Sequence, residues 1–335
     1  MNRHLKRGLA AALAAMLLTS TLTNITGLYA AGQDPVSRIY SAVTGNPRTS
    51  GEYAERAGEK ITQGDYTGAL EDYEKARSLT DDAGTLSTLW LRTASVCVIT
   101  GDDSGARSAT DAALEANPSS AQGMLLSAQL YLADGDADNA ATAMEAYVAL
   151  MPEDTSSRAS LAQIYEDAGR YTEAAAVYEA LFENEPTEVD YRTGTMRCLF
   201  EAGEFQTLVA FAEKTDTSTL QTEARQLLGI AFVQLGRSEE AVEELTQAIT
   251  LSDSHYYRGE ALLALERYEE AEADFTQAIA EDSLTDYAYY NRGVCRVHLG
   301  EYETAMDDFD VVLTGDNEEL IDMATDALMQ IAGAA

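Results

Sequence analysis

AYYNRGVCRVHLGEYETAMDDFDVVL, residues 288–313, is the stretch on which the fold turns. Gly300 stands at its centre, and the small residue Ala305 follows five positions later. The same pairing recurs upstream as Gly64 with Ala69, Gly101 with Ala106, Gly135 with Ala140, Gly169 with Ala174, Gly203 with Leu208 and Gly236 with Ala241. Ala271 belongs to the series with Glu266 in the glycine place. Successive steps are 37, 34, 34, 34, 33, 30 and 34 residues, a period that marks a repeat architecture. Apolar residues are helically spaced on both sides of each turn, as in Trp90, Ala94 and Cys97 and then Ala106, Ala109, Ala113 and Leu114. Each unit is therefore a helix, a tight turn and a second helix. The glycine suits the left-handed position that ends a helix, and the alanine lets two helices approach closely. Pro118, Pro152 and Pro186, again 34 apart, fall where the second helix must stop.

These residues resemble the tetratricopeptide repeat family. In the last unit Tyr289, Gly293, Gly300, Tyr302, Ala305 and Phe309 occupy the family's places, Trp90 takes the Trp place of the second unit, and Tyr165, Gly169, Tyr171, Ala174, Tyr178 and Pro186 fit the fourth. The match runs over residues 50–316. It is poorer in the first unit, where Lys60 replaces an aromatic or Leu, and in the fifth, which has Leu208 for Ala and no closing Pro. The step of 30 predicts a shortened connection from Leu251 to Ser254. The resemblance implies an all-α, right-handed superhelical solenoid of about eight helix pairs, and with it a scaffold or adaptor function.

The ends of such a stack need capping. Residues 317–335 supply an apolar stripe of Leu320, Ala324, Ala327, Leu328 and Ile331, read as a C-terminal capping helix. Residues 31–49 hold a short amphipathic helix with Val36, Ile39, Tyr40 and Val43 on one face. Residues 1–30 set Arg3, Lys6 and Arg7 ahead of the uncharged run Gly8–Leu18, which reads as a secretory signal peptide cleaved near Ala30. A membrane span needs about 20 apolar residues, and Thr19, Ser20 and Thr21 interrupt this run too soon. The expected address is the cell surface, the periplasm or the extracellular space, with no membrane insertion after cleavage.

The formal charge of -35 repels nucleic acid and anionic membranes. It keeps an exported protein soluble and favours a cationic partner. Three cysteines, Cys97, Cys198 and Cys295, lie on first helices three units apart, too far for a disulfide, and are read as buried apolar residues.

In a stack of this kind the first helices line a concave groove. The second unit is expected to bury Trp90, Thr93, Ala94 and Cys97, leaving Leu91, Ser95 and Val98 for the groove, and the third adds Leu125, Gln129 and Leu132. This apolar half with polar edges suits an amphipathic helix or extended peptide. Arg197, Phe200, Tyr256, Glu260, Tyr287, Tyr290 and Val294 continue it. The three tyrosines also support an alternative, a small-ligand or glycan-binding module. The Lys, Asn and Arg stations with which some family members grip a carboxylate are occupied here by Leu91, Ser95, Leu126, Ser156 and Ser160. Arg292 is expected to pair locally, with Asp308. Catalysis finds no GxSxG, HExxH or phosphate-loop motif, so neither enzyme activity nor a cofactor is expected. Asp134, Asp136, Asp138 and Glu145 have the ligand spacing of a calcium loop, but the repeat frame makes Asn139–Leu150 helix, so no metal site is expected there.

Overall fold

The computed structural model describes residues 47–334. The expected signal peptide and the helix at Val36–Val43 lie outside them. Among the described residues there are seventeen α-helices and no strand. Sixteen form pairs in sequence: α1 Ser50–Thr62 with α2 Tyr66–Arg77, α3 Ala83–Thr100 with α4 Asp103–Ala116, α5 Ala121–Asp134 with α6 Ala137–Leu150, and α7 Thr155–Asp167 with α8 Tyr171–Asn184. Then come α9 Val189–Glu201 with α10 Phe205–Glu213, α11 Thr222–Gln234 with α12 Ser238–Gln247, α13 Ser254–Ala264 with α14 Tyr268–Ala280, and α15 Thr285–Leu299 with α16 Tyr302–Val312. The last helix, α17, is Glu318–Ala334. The described residues divide into two compact bodies on either side of the boundary between residues 169 and 170.

Local chemistry explains the helix starts. Asp82, Asp102, Ser120, Asp136 and Asp154 each accept a hydrogen bond from a backbone N–H in the first turn of the helix that follows, satisfying a donor that has no partner within the helix. Asp136 caps α6 in this way, and Asn139–Leu150 is helix, as the repeat frame requires.

The turn glycines all adopt positive φ, from 71° at Gly236 to 81° at Gly135. Glu266, in the glycine place of the seventh pair, is forced into the same region at φ 58°. A side chain there crowds its own backbone by about 1–2 kcal/mol. Glu266→Gly is therefore expected to stabilise the second body by about 1 kcal/mol after the entropy lost by glycine, read as a higher urea midpoint at unchanged slope. A fall in midpoint would mean that the turn carries no such strain.

Every residue five positions after the turn is fully buried: Ala69, Ala106, Ala140, Ala174, Leu208, Ala241, Ala271 and Ala305 are all 0% exposed. In the first body, α1–α3 share a core around Tyr73, Leu89 and Val96, and α3–α5 share one around Leu91, Ala94, Ala113 and Leu126. In the second body, α13–α15 share a core around Phe275 and α15–α17 one around Phe309. The stripe of α17, through Leu320, Ala324 and Ile331, packs against α15 and α16.

Two irregular connections have identifiable causes. The fifth pair has a short α10 followed by a 3-10 turn at Thr217–Thr219. Arg192, 3% exposed, ties that turn down by donating to the carbonyls of Asp216 at 3.1 Å and Thr219 at 2.6 Å and to the Thr219 hydroxyl at 3.0 Å. The short step into the seventh pair is made by Asp253 at φ 68°, with the buried Ser254 hydroxyl donating to the Ala248 carbonyl at 2.9 Å. Cys97, Cys198 and Cys295 are free and buried, and burial pushes the Cys295 thiol up to about 12.

Candidate functional site

Successive first helices touch one another within each body: α3 with α5 in the first, and α9 with α11, α11 with α13 and α13 with α15 in the second. The second helices of neighbouring pairs do not pack on one another in this way. The first helices thus share a face, over α3 and α5 in the first body and from α9 to α15 in the second.

This packing changes the face assignments read from the sequence. Leu91, expected in the groove, is 8% exposed and belongs to the core with Leu126 and Leu130 of α5. Ser95 is buried and spends its hydroxyl on the Leu91 carbonyl. Tyr256 is 5% exposed, its ring 5.9 Å from Phe275 and 5.2 Å from Tyr257. In each case the next first helix covers a flank that an isolated pair would leave open. Trp90, expected in the core, is only half-buried and lies under the Arg77 guanidinium, 3.8 Å from the ring centroid. Thr93, Ala94 and Cys97 are core, as expected.

The other predicted positions are distributed as follows. Val98, Leu125, Gln129 and Leu132 are half-buried in the first body. In the second, Arg197 lies 3.4 Å from Glu223, and Phe200 is half-buried against Phe205 with centroids 5.6 Å apart. Tyr290 is half-buried against Phe309 at 5.8 Å. Tyr287 is 44% exposed and its hydroxyl accepts from Asn317 at 3.1 Å. Tyr256, Tyr287 and Tyr290 therefore do not form one exposed aromatic patch.

A set of ionic clamps holds the first helices to their partners. Arg292 donates to both carboxylate oxygens of Asp308, at 3.0 and 2.7 Å, and Arg296 adds a third bond at 2.7 Å. The pairing with Arg292 is the one the sequence suggested. The first pair repeats the pattern: Arg56 grips Asp72 at 2.8 and 2.6 Å, and Lys60 approaches the same carboxylate at 3.0 Å. In the seventh pair Arg258 grips Asp274 at 2.7 Å through each oxygen. Lys60, out of place by family pattern, thus holds the position that Arg296 holds in the eighth pair. Burial, which would raise the Asp72 carboxyl, is outweighed by hydrogen bonds from Arg56 and Lys60, and its pKa lies below the ordinary value.

A different polar arrangement lies between α13 and α15 of the second body. The Tyr256 hydroxyl donates to Glu260 Oε1 at 2.9 Å and accepts from Asn291 Nδ2 at 3.3 Å. Burial raises the Glu260 carboxyl above its ordinary pKa, partly offset by the Tyr256 hydrogen bond, and burial with the adjacent Glu260 charge raises the Tyr256 phenol. The sequence places Glu260 with Tyr256 on the groove side of the seventh unit, but nothing in its spacing announces its burial or its bond to Tyr256.

Comparison with known proteins agrees with this geometry. Tetratricopeptide repeat models match residues 100–155, 226–283 and 256–319 and residues 131–194, together more than half of the chain. Among solved structures, the C-terminal part of a TPR repeat-containing protein from Cytophaga hutchinsonii is 16% identical and aligns over 69% of this chain and 98% of its own, with a TM-score of 0.51. The structure of Naa15/Naa10 bound to HypK-THB aligns over 79% of this chain at 15% identity with a TM-score of 0.58, and this chain spans 41% of that one. No curated protein matches. With the helix pairs, their turn frame and the matched models in agreement, the chain belongs to the tetratricopeptide repeat family.

Proposed function

We propose that the protein is an exported scaffold that holds a protein or peptide partner on the inner face of its first helices. The observation that carries this reading is the contact between successive first helices, which joins side chains of α3 and α5 in the first body, and of α9 to α15 in the second, into a shared surface within each body. Val98, Leu125 and Leu132 give that surface apolar character in the first body, with Gln129 among them. Half-buried apolar positions with polar neighbours suit a helix or extended segment of a partner, where a few anchors supply most of the affinity. Export rests on the basic and apolar pattern of residues 1–30, and the charge of -35 favours a cationic partner over nucleic acid. The saccharide alternative leaned on a shared tyrosine patch and is not carried further, since Tyr256 is core.

The test is photo-crosslinking in the native cell. A crosslinker at Leu125 or Gln129 on α5 should capture a discrete protein, while one at the exposed Thr142 on the second helix α6 should not. Capture from Thr142 but not from α5 would place binding on the opposite side and sink the reading. N-terminal sequencing of the exported protein should begin near Ala31.

A further inference from the structure

Among the described residues the fully buried carboxylates are neutralised internally. Asp72, Asp274 and Asp308 each hold an Arg, and the half-buried Glu244 and Glu272 are paired with Arg225 and Arg296. The half-buried Asp154 and Asp253 have no cation either but accept from serine hydroxyls, whereas Glu260 has neither a cation nor a serine. It is half-buried, its charged form is disfavoured by burial, and among the described residues no basic side chain lies within ion-pair distance. Its one partner is the neutral Tyr256 hydroxyl, at 2.9 Å through Oε1, and no described donor reaches Oε2. A carboxylate kept from water without a counter-charge costs free energy.

The surroundings hold Glu260 in a fixed direction. Asn291, from α15, donates to the Tyr256 oxygen at 3.3 Å, which leaves the phenol proton free to point at Glu260. Tyr256 is itself locked between Phe275 and Tyr257. Glu260 follows Tyr256 by one helical turn and precedes the half-buried Leu263 by another, a row on the flank of α13 that meets α15. The carboxylate therefore sits on the side of α13 that meets α15, near the half-buried Leu263, with one oxygen hydrogen-bonded and the other without a described donor.

We infer that Glu260, oriented by Tyr256 and Asn291, is the seat for one lysine or arginine side chain of a protein partner. This rests on the reading of the inner face as the binding surface and adds the chemistry of one anchor to it. The ammonium or guanidinium would supply the missing counter-charge, and its aliphatic stem would lie against Leu263. The charge of -35 speeds arrival of a basic segment, while the single oriented carboxylate sets where one cation stops.

The experiment uses an acetylated, amidated peptide with one lysine among alanines and leucines, titrated into the full chain while tyrosine resonances are followed by NMR. Saturable shifts at Tyr256 are expected. Glu260→Gln keeps an acceptor for the Tyr256 hydroxyl but removes the charge, and should weaken binding by roughly tenfold or more. Glu269→Gln makes the same change in net charge at an exposed site on α14 and should leave binding unchanged. Replacing lysine by norleucine in the peptide should abolish the effect. The seat is overturned by equal weakening in both variants, which would mean diffuse attraction only, by norleucine binding as well as lysine, or by no saturable binding. Crosslinks to α5 that persist while the peptide ignores Glu260→Gln would remove this seat and leave the scaffold standing.

Discussion

Asp308→Ala is expected to destabilise the second body by about 3–5 kcal/mol, because it strands the Arg292 guanidinium and takes from Arg296 one of its two carboxylate partners. The carboxylate is 2% exposed and accepts three bonds of 3.0 Å or less from Arg292 and Arg296, whose side chains are 13% and 17% exposed. After the substitution Arg296 keeps Glu272 at 2.8 Å. Arg292 keeps only the Thr276 hydroxyl at 3.2 Å and the face of Tyr289 at 5.2 Å. Most of the loss is thus the uncompensated charge on Arg292, and Asp308→Ala combined with Arg292→Met should recover part of it. Asp274→Ala strands one guanidinium and should cost less. Urea unfolding followed by circular dichroism measures all three. A loss below about 1 kcal/mol for Asp308→Ala would show that water reaches both arginines freely.

The clamp also shows how far the sequence could be read. The repeat frame was legible because glycine at a left-handed turn and a small residue at a close helix crossing are demands that few residues meet. The eight burials after the turn follow from that frame. The same frame contains the clamp, with arginine eight residues before the turn and aspartate eight after it, at 56 and 72, 258 and 274, and 292 and 308. Only the last pairing is evident without coordinates, since charged residues are plentiful here and two of the three sets flank turns of weaker pattern. Lys60 looks like a defect until Asp72 is seen to need a second cation. The inner face was harder to read. Helical spacing says which side chains share a face, not what covers that face. Leu91 and Tyr256 were misplaced because a neighbouring first helix closes over each of them. Glu266 carries no signal of its strained backbone beyond its place in the series.

Phe275→Ala and Phe309→Ala remove the same side chain from successive pairs, and each is expected to cost about 3–5 kcal/mol. Both rings are 0% exposed. Each lies against a glycine of the preceding first helix, Gly259 or Gly293, where an added Cβ would come within 2.8 Å of the ring, so neither site can collapse without moving a helix. The consequences should nevertheless differ. α13 and α14 are held between α12 and α15, whereas α16 packs on α15 and α17. In a stack where each pair is stabilised by its neighbours, the Phe309 cavity can be released by opening α16 and α17 alone. The Phe275 cavity cannot be released without separating neighbours on both sides. Hydrogen exchange should therefore show α16 and α17 losing protection ahead of α11 and α13 in Phe309→Ala. In Phe275→Ala, protection should fall together across α11–α17. Uniform loss in both variants would mean that the second body opens as one cooperative unit, and that the nearest-neighbour account of its stability is wrong.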